Sequence, residues 1–265
     1  VPCNSAGELQ TEKIRALIRP KTKAVIMTHA SNVCGTILEL EKVGSICKEY
    51  NLFFMIDTAQ TAGFIDVDFN KLQADAIAFT GHKSLLGPQG IGGFLANKRT
   101  TSLLKPLIDG GTGSLSDSEF QPEYMPDKFE AGTLNIPGIY GLHAALNYLF
   151  ETGISTIREK ERMLLNAFLE GTSKIKALNP IGQPSIEKRT AIASVDFPTL
   201  DNGMIAHELS KKYGILTRSG LHCAPSAHKT LGTFPKGTVR FSFGHFNTID
   251  DIQYTLNAIR TITDC

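Results

Sequence analysis

Residues 53–60 read Phe53-Phe54-Met55-Ile56-Asp57-Thr58-Ala59-Gln60. A short apolar run closed by a carboxylate is the pattern of a buried strand with a polar end. The same pattern recurs on either side. Ala24–Met27 runs into Thr28-His29-Ala30-Ser31-Asn32. Ala76–Phe79 runs into Thr80-Gly81-His82-Lys83, followed by Gly87-Pro88-Gln89-Gly90-Ile91-Gly92-Gly93. Ile91–Ala96 is a fourth apolar run. Between the first two lies 39–50, with Leu40, Val43, Ile46 and Cys47 at helical spacing. Short apolar strands separated by a helix predict an α/β fold with a mostly parallel sheet, covered on both faces.

Outward from this centre the chain changes texture. Thr11 is placed to cap a short helix with Ile14, Leu17 and Ile18 on its apolar face, stopped by Pro20. Residues 101–138 are rich in Gly, Pro and Ser and predict a long irregular segment. Helical patterns cover 139–150 and 155–172, broken near Gly153. The second carries Arg158, Glu159, Lys160, Glu161 and Arg162, read as a solvated face. Beyond it, strands at 192–197, near 216–218 and at 238–243 alternate with helices at 204–213 and 248–261. We therefore expect two domains, 1–155 and a smaller α+β domain over 156–265.

Composition narrows the function. Of the 265 residues 42% are apolar, enough for a full core without metal or disulfide support. Lys and Arg number 27 against 26 Asp and Glu, so no basic excess exists for nucleic acid. No apolar stretch approaches a membrane span, and no leader pattern is present. The cysteines, Cys3, Cys34, Cys47, Cys223 and Cys265, are odd in number and contain no CxxC pair. That argues against a disulfide framework or a metal site and for reduced thiols in the cytoplasm.

In open α/β sheets the carboxyl ends of the strands build the site. Asp57 follows its apolar run directly and is expected to be partly buried. Lys83 precedes a glycine-rich run and is expected in a dry pocket that lowers its pKa. An aspartate on one strand end and a lysine on the next is the arrangement that pyridoxal phosphate requires. The carboxylate keeps the pyridine nitrogen protonated and the lysine carries the aldehyde as a Schiff base. Thr80 and His82 are placed to hydrogen-bond the phosphate, and Gln60 to reach the ring hydroxyl. Each residue alone has a bland reading, a helix cap for Asp57 or a structural histidine for His82. Their succession on neighbouring strand ends carries the case.

The runs THASNVCGT (28–36), IDTAQTAG (56–63), FTGHKSLLGPQGIGG (79–93), FEAGTLN (129–135), RSGLHCAP (218–225) and GTVRFSFGHFNT (237–248) occur in this order. Together they resemble the class V aminotransferase fold, and more narrowly the cysteine desulfurase and selenocysteine lyase group. The resemblance implies the fold type I of pyridoxal phosphate enzymes, with Lys83 as the cofactor lysine, Asp57, Gln60, Thr80 and His82 around the cofactor, and Asn32 and Arg240 on the substrate carboxylate, supported by Arg218. It implies a homodimer in which Thr133 reaches the neighbouring subunit's phosphate. It also implies that Cys223 attacks the sulfur of bound cysteine, giving alanine and an enzyme persulfide for a sulfur acceptor. A neighbouring cation such as Arg218 suits that thiol. Members of the group have a long segment ahead of the position matching Val1, with a phosphate loop and a ring-stacking aromatic residue. We therefore expect a truncated chain and an incomplete large domain. Three readings stay open at this stage, a desulfurase or selenocysteine lyase, another aminotransferase or lyase, and a cofactor-free scaffold or dimerisation fragment.

Overall fold

The computed structural model describes residues 1–264, so Cys265 lies outside the described residues. A 3₁₀ turn at Thr11–Lys13 runs into α1 (Ile14–Leu17). Thr11 does not cap it, because the cap position falls on Gln10 and Thr11 sits inside the first turn. A helix this short offers one residue to the core, and that residue is Ile14, while Leu17 is exposed.

The first sheet contains β1 (Ala24–Thr28), β2 (Phe53–Asp57), β3 (Ala76–Thr80) and β4 (Gly92–Ala96), in that order. β1, β2 and β3 run parallel, and β4 returns antiparallel along β3. Side chains alternate across a strand. Phe54, Ile56 and Ile77 face one way and pack with Val43, Ile46 and Cys47 of α2 (Glu41–Glu49). The alternate residues face the other way. There Ile26 is 72% and Phe94 45% exposed, and the second covered face that we expected is absent among the described residues. Apolarity on both sides of a strand signals burial on both sides, but here one side has no helix over it. Buried Asp75 ties the sheet's far end, accepting from the Phe54 amide at 2.9 Å and the Asn97 side chain at 2.8 Å.

Asn97 caps α3 (Lys98–Leu103), a helix inside the stretch expected to be irregular. Residues 104–135 carry a 3₁₀ turn at Asp127–Phe129 and are otherwise irregular. Asn135 caps α4 (Ile136–Thr152), and Gly153, at φ +86°, joins it to α5 (Ile154–Thr172).

The second sheet is antiparallel, in the order β5 (Asn179–Ile181), β6 (Ile192–Asp196), β8 (Thr238–Ser242) and β7 (Arg218–Gly220). α6 (Asn202–Tyr213), α7 (Pro225–Thr230) and α8 (Ile249–Thr263) complete this half, with a Thr248/Asp251 capping box on α8. β5 was not foreseen, since an edge strand containing proline has no strand signature. β7 begins two residues later than expected, because Leu216 points into solvent. The core here is Leu164, Leu165 and Phe168 from α5 against Val195, Phe197, Val239 and Phe241. The charged stretch on α5 is not wholly solvated, because Glu161 is buried. Among the described residues no helix is long and apolar enough to cross a membrane.

The halves meet along residues 31–37. The Ser194 hydroxyl donates to the Val33 carbonyl, the Thr190 amide to the Gly35 carbonyl at 2.9 Å, and Arg240 to the Asn32 carbonyl at 3.0 Å.

Adjacent α5 positions test this packing. Leu164 is fully buried and Met163 is half exposed. Leu164→Ala is expected to lower unfolding free energy by about 3 kcal/mol, and Met163→Ala by less than about 0.5 kcal/mol. Urea denaturation checks this, and equal losses would place α5 wrongly.

Candidate active site

Asp57 ends β2 beside Thr28 and Ala78 of the flanking strands. Alternation puts Asp57, Ala78 and Thr80 on the face away from α2. That face is open, so Asp57 is exposed rather than partly buried as expected. Its carboxylate accepts from the Ala59 amide at 2.9 Å, which shapes the turn leading to Gln60. The Thr58 hydroxyl fixes this turn to β3 by donating to the Ala78 carbonyl at 2.9 Å.

The turn and the Lys83 loop approach closely because of Gly63. Its φ is +88°, and a Cβ there would lie 2.3 Å from the Ser84 carbonyl oxygen. Gln60 and Lys83 consequently line one cavity of about 250 Å³, together with Phe64, Glu161, Arg240 and Phe243. Lys83 is exposed by its surface area rather than set in a dry pocket as expected, yet the walls around its amine hold it below the ordinary lysine range. Partial desolvation is the main cause and Arg240 adds to it, while the Asp57 carboxylate opposes both. Asp57 and Lys83 are therefore close enough to feel each other's charge. Next to them the Thr80 hydroxyl and the His82 Nδ1 share a hydrogen bond of 2.8 Å.

From the second sheet, β7 and β8 set Arg218 directly opposite Arg240. Arg240 is half-buried, and burial first, then Arg218, lowers its pKa. Asn32 bridges from the first sheet, with its side chain donating to the His222 carbonyl at 2.7 Å. Cys223 is exposed, and Arg218 Nη2 lies 3.7 Å from its Sγ. The loop carrying it is unusual, since His222 and Cys223 have φ of +49° and +60°. Non-glycine residues rarely take that conformation. His222 is buried against the Thr238 hydroxyl, and burial pushes its pKa down to about 4.

The fold thus gathers Gln60, Lys83 and Arg240 into one cavity, with Asp57, Asn32, Arg218 and Cys223 linked to it by contact or charge. Thr133 is exposed, and neither it nor Cys223 lines the cavity. Glu161, which lines it, was missed. Its signal was present, since Ile157, Glu161, Leu164, Leu165 and Phe168 form one stripe at helical spacing, buried throughout. The run of charges around Glu161 masked that periodicity. Among the described residues no cation forms an ion pair with its carboxylate, and the His245 amide nearby favours the charged form only weakly. Burial raises its pKa from 4.5 to about 7.

The family model for aminotransferase class-V matches residues 1–255. A probable cysteine desulfurase of Pyrococcus abyssi is 35% identical over 243 residues, spanning 91% of this chain and 59% of the relative. One from Methanothermobacter thermautotrophicus is 35% identical over 257 residues, spanning 96% and 64%. The apo structure of a cysteine desulfurase from Thermococcus onnurineus superposes on the whole chain and 65% of its own, with TM-score 0.91 and 32% identity. The chain thus spans about three fifths of the length of these relatives.

Glu161 yields a pH prediction. A carboxyl whose folded pKa is raised costs nothing below its unfolded value of 4.5. The cost grows as pH climbs from there and is complete above about 7. Glu161→Gln keeps an acceptor for His245 and removes the charge. It is expected to match the parent near pH 4.5 and exceed it by about 3 kcal/mol at pH 8. Chemical denaturation at both values checks this, and an equal difference at both would reject the assignment.

Proposed function

Because this chain belongs to the class-V aminotransferase family, we propose that it serves a pyridoxal phosphate-dependent cysteine desulfurase. The observation that carries the reading is the contact of Arg218 with the Cys223 thiol, alongside Arg240 and the Lys83 cavity. A transaminase or simple lyase needs the lysine, the carboxylate and the arginine. It has no use for an exposed thiol held under a guanidinium.

The donor set fits the cofactor. Lys83 offers an amine with a lowered pKa, Asp57 a carboxylate within its field, and Thr80 and His82 a hydroxyl and an imidazole beside them. Lys83 would hold the aldehyde carbon, Asp57 the pyridine nitrogen, Gln60 the ring hydroxyl, and Thr80 and His82 the phosphate. When bound, pyridoxal phosphate supplies an electron sink that weakens bonds at the substrate's Cα.

The chain's own groups then have separate tasks. Arg240 holds the substrate carboxylate, for which a planar fork is suited. Asn32 fixes its neighbour, the His222 carbonyl, and so couples carboxylate binding to the nucleophile loop. Lys83 accepts the Cα proton, as a partly desolvated amine can. Arg218 stabilises the Cys223 thiolate. The thiolate forms an S–S bond to the substrate sulfur as the C–S bond breaks. The electron pair leaves with the carbon fragment, which gains protons to become alanine. Cys223 keeps the sulfur as a persulfide, exposed to an acceptor. Thr133 would reach the phosphate of a second copy of the chain, in a homodimer with shared sites, and its exposure supports that role. A persulfide cycle requires a reduced thiol, in keeping with a cytoplasmic setting. Cysteine and selenocysteine are both admissible substrates.

The full-length protein with pyridoxal phosphate and L-cysteine tests the reading. Cys223→Ala is expected to cut sulfide and alanine production at least about 100-fold and keep the visible cofactor band. Lys83→Ala is expected to lose the pyridoxyl adduct fixed by borohydride. Undiminished desulfuration by Cys223→Ala, or a keto acid as the product, would sink it.

A further inference from the structure

The left-handed backbone at His222 and Cys223 needs something to hold it, because two successive non-glycine residues in this region relax unless their surroundings forbid it. The surroundings are built from two histidines. His222 and His228 are buried, at 3% and 0% exposure, with ring centroids 5.6 Å apart. His222 Nε2 shares a 3.0 Å hydrogen bond with the Thr238 hydroxyl of β8. His228 Nδ1 shares one of 2.7 Å with the Thr233 hydroxyl beyond α7. His228 also lies against the Leu221 carbonyl, at the start of the same loop. From the other side the Asn32 side chain grips the His222 carbonyl. The loop is therefore clamped at successive residues, while the Cys223 side chain stays exposed.

We propose that His222 and His228 are positioning residues, a buried imidazole pair that keeps the Cys223 thiol under Arg218. Neither histidine is the thiol's base. The charged groups around His222 are Arg240 on β8 and Arg218 on β7, and the third neighbour is the His228 ring on α7. Two guanidinium groups leave no room for a third cation, and burial keeps both imidazoles neutral. The positive charge felt at Cys223 comes from the arginines. The pair fixes only where the sulfur sits, to which a 3.7 Å contact is sensitive.

The inference rests on Cys223 as the nucleophile for its purpose, but its measurement needs no turnover. Alkylation of Cys223 in the full-length protein at a fixed neutral pH is followed by mass spectrometry of its peptide, without substrate. His228→Leu keeps the bulk and removes the hydrogen bond to Thr233. It is expected to slow Cys223 alkylation several-fold, as the sulfur leaves the guanidinium. His228→Gln, which retains hydrogen-bonding groups, is expected to stay near the parent. Cys47 is buried, so its protection reports an intact fold. If His228→Leu exposes Cys47, Thr233→Val decides, with a smaller slowing expected. An unchanged alkylation rate in whichever variant keeps Cys47 protected overturns the proposal. Loss of desulfurase activity alone does not bear on it, and a slowed alkylation leaves the desulfurase reading to its own test.

Discussion

The structure depends on how the carbonyls of residues 31–37 are satisfied. This loop leaves β1 and turns back toward α2, and its carbonyls are inside the molecule. A buried carbonyl without a donor is costly. The donors come from far along the chain, with Arg240, Ser194 and Thr190 serving Asn32, Val33 and Gly35. Gly35, at φ +73°, lets the Ile192 and Thr190 backbone approach to about the distance at which a Cβ would crowd it. The two sheets cannot separate at this point without stranding backbone groups. Since Arg240 is itself one of the donors, the contact that joins the halves also aims the guanidinium at the Lys83 cavity.

That geometry has an electrostatic cost. Arg218, Arg240 and Lys83 are brought together, and Arg240 depresses the Lys83 amine while Arg218 depresses Arg240. Among the described residues no carboxylate forms an ion pair with any of these three, although Asp57 acts on Lys83 from a distance. What relief there is comes from the Asn32 carbonyl, which accepts from Arg240, and the Cys223 thiol beside Arg218. A fold selected for stability alone would place a carboxylate here. Uncompensated positive charge beside a cavity is what an anionic ligand relieves on binding, and it marks the site on grounds independent of any motif.

Strand positions were legible in the sequence because short apolar runs such as Phe53–Ile56 have few alternatives once Asp57 ends them. What covers a strand was not legible. Ile26 and Phe94 carry the same apolarity whether or not a helix lies over them, so the open face, and with it the exposure of Asp57, could not be read. The site residues on strand ends were visible because the topology itself brings such ends together. Glu161 was hidden for the opposite reason. Arg158, Glu159 and Arg162 surround it in sequence, and local charge density outweighed a periodicity that extends over three turns. β5 and α7 are short elements held by tertiary contacts, and local propensity carries little information about such elements.

The place of Cys223 follows from two demands on one sulfur atom. In the proposed reaction it meets a substrate in the Lys83 cavity and afterwards an acceptor outside. A thiol inside the cavity satisfies the first demand and blocks the second, while a thiol on a free loop reverses the fault. Here the side chain is exposed and lies outside the cavity lining, yet it is in contact with Arg218, which stands directly opposite Arg240 in the sheet. The left-handed backbone makes that compromise possible, because it turns the side chain outward while the preceding residue is anchored inward through Thr238 and Asn32. Glycine would adopt the same φ without strain but has no side chain to bury. A histidine at 222 accepts the strain because its ring fills the space beneath and its hydrogen bonds hold it there.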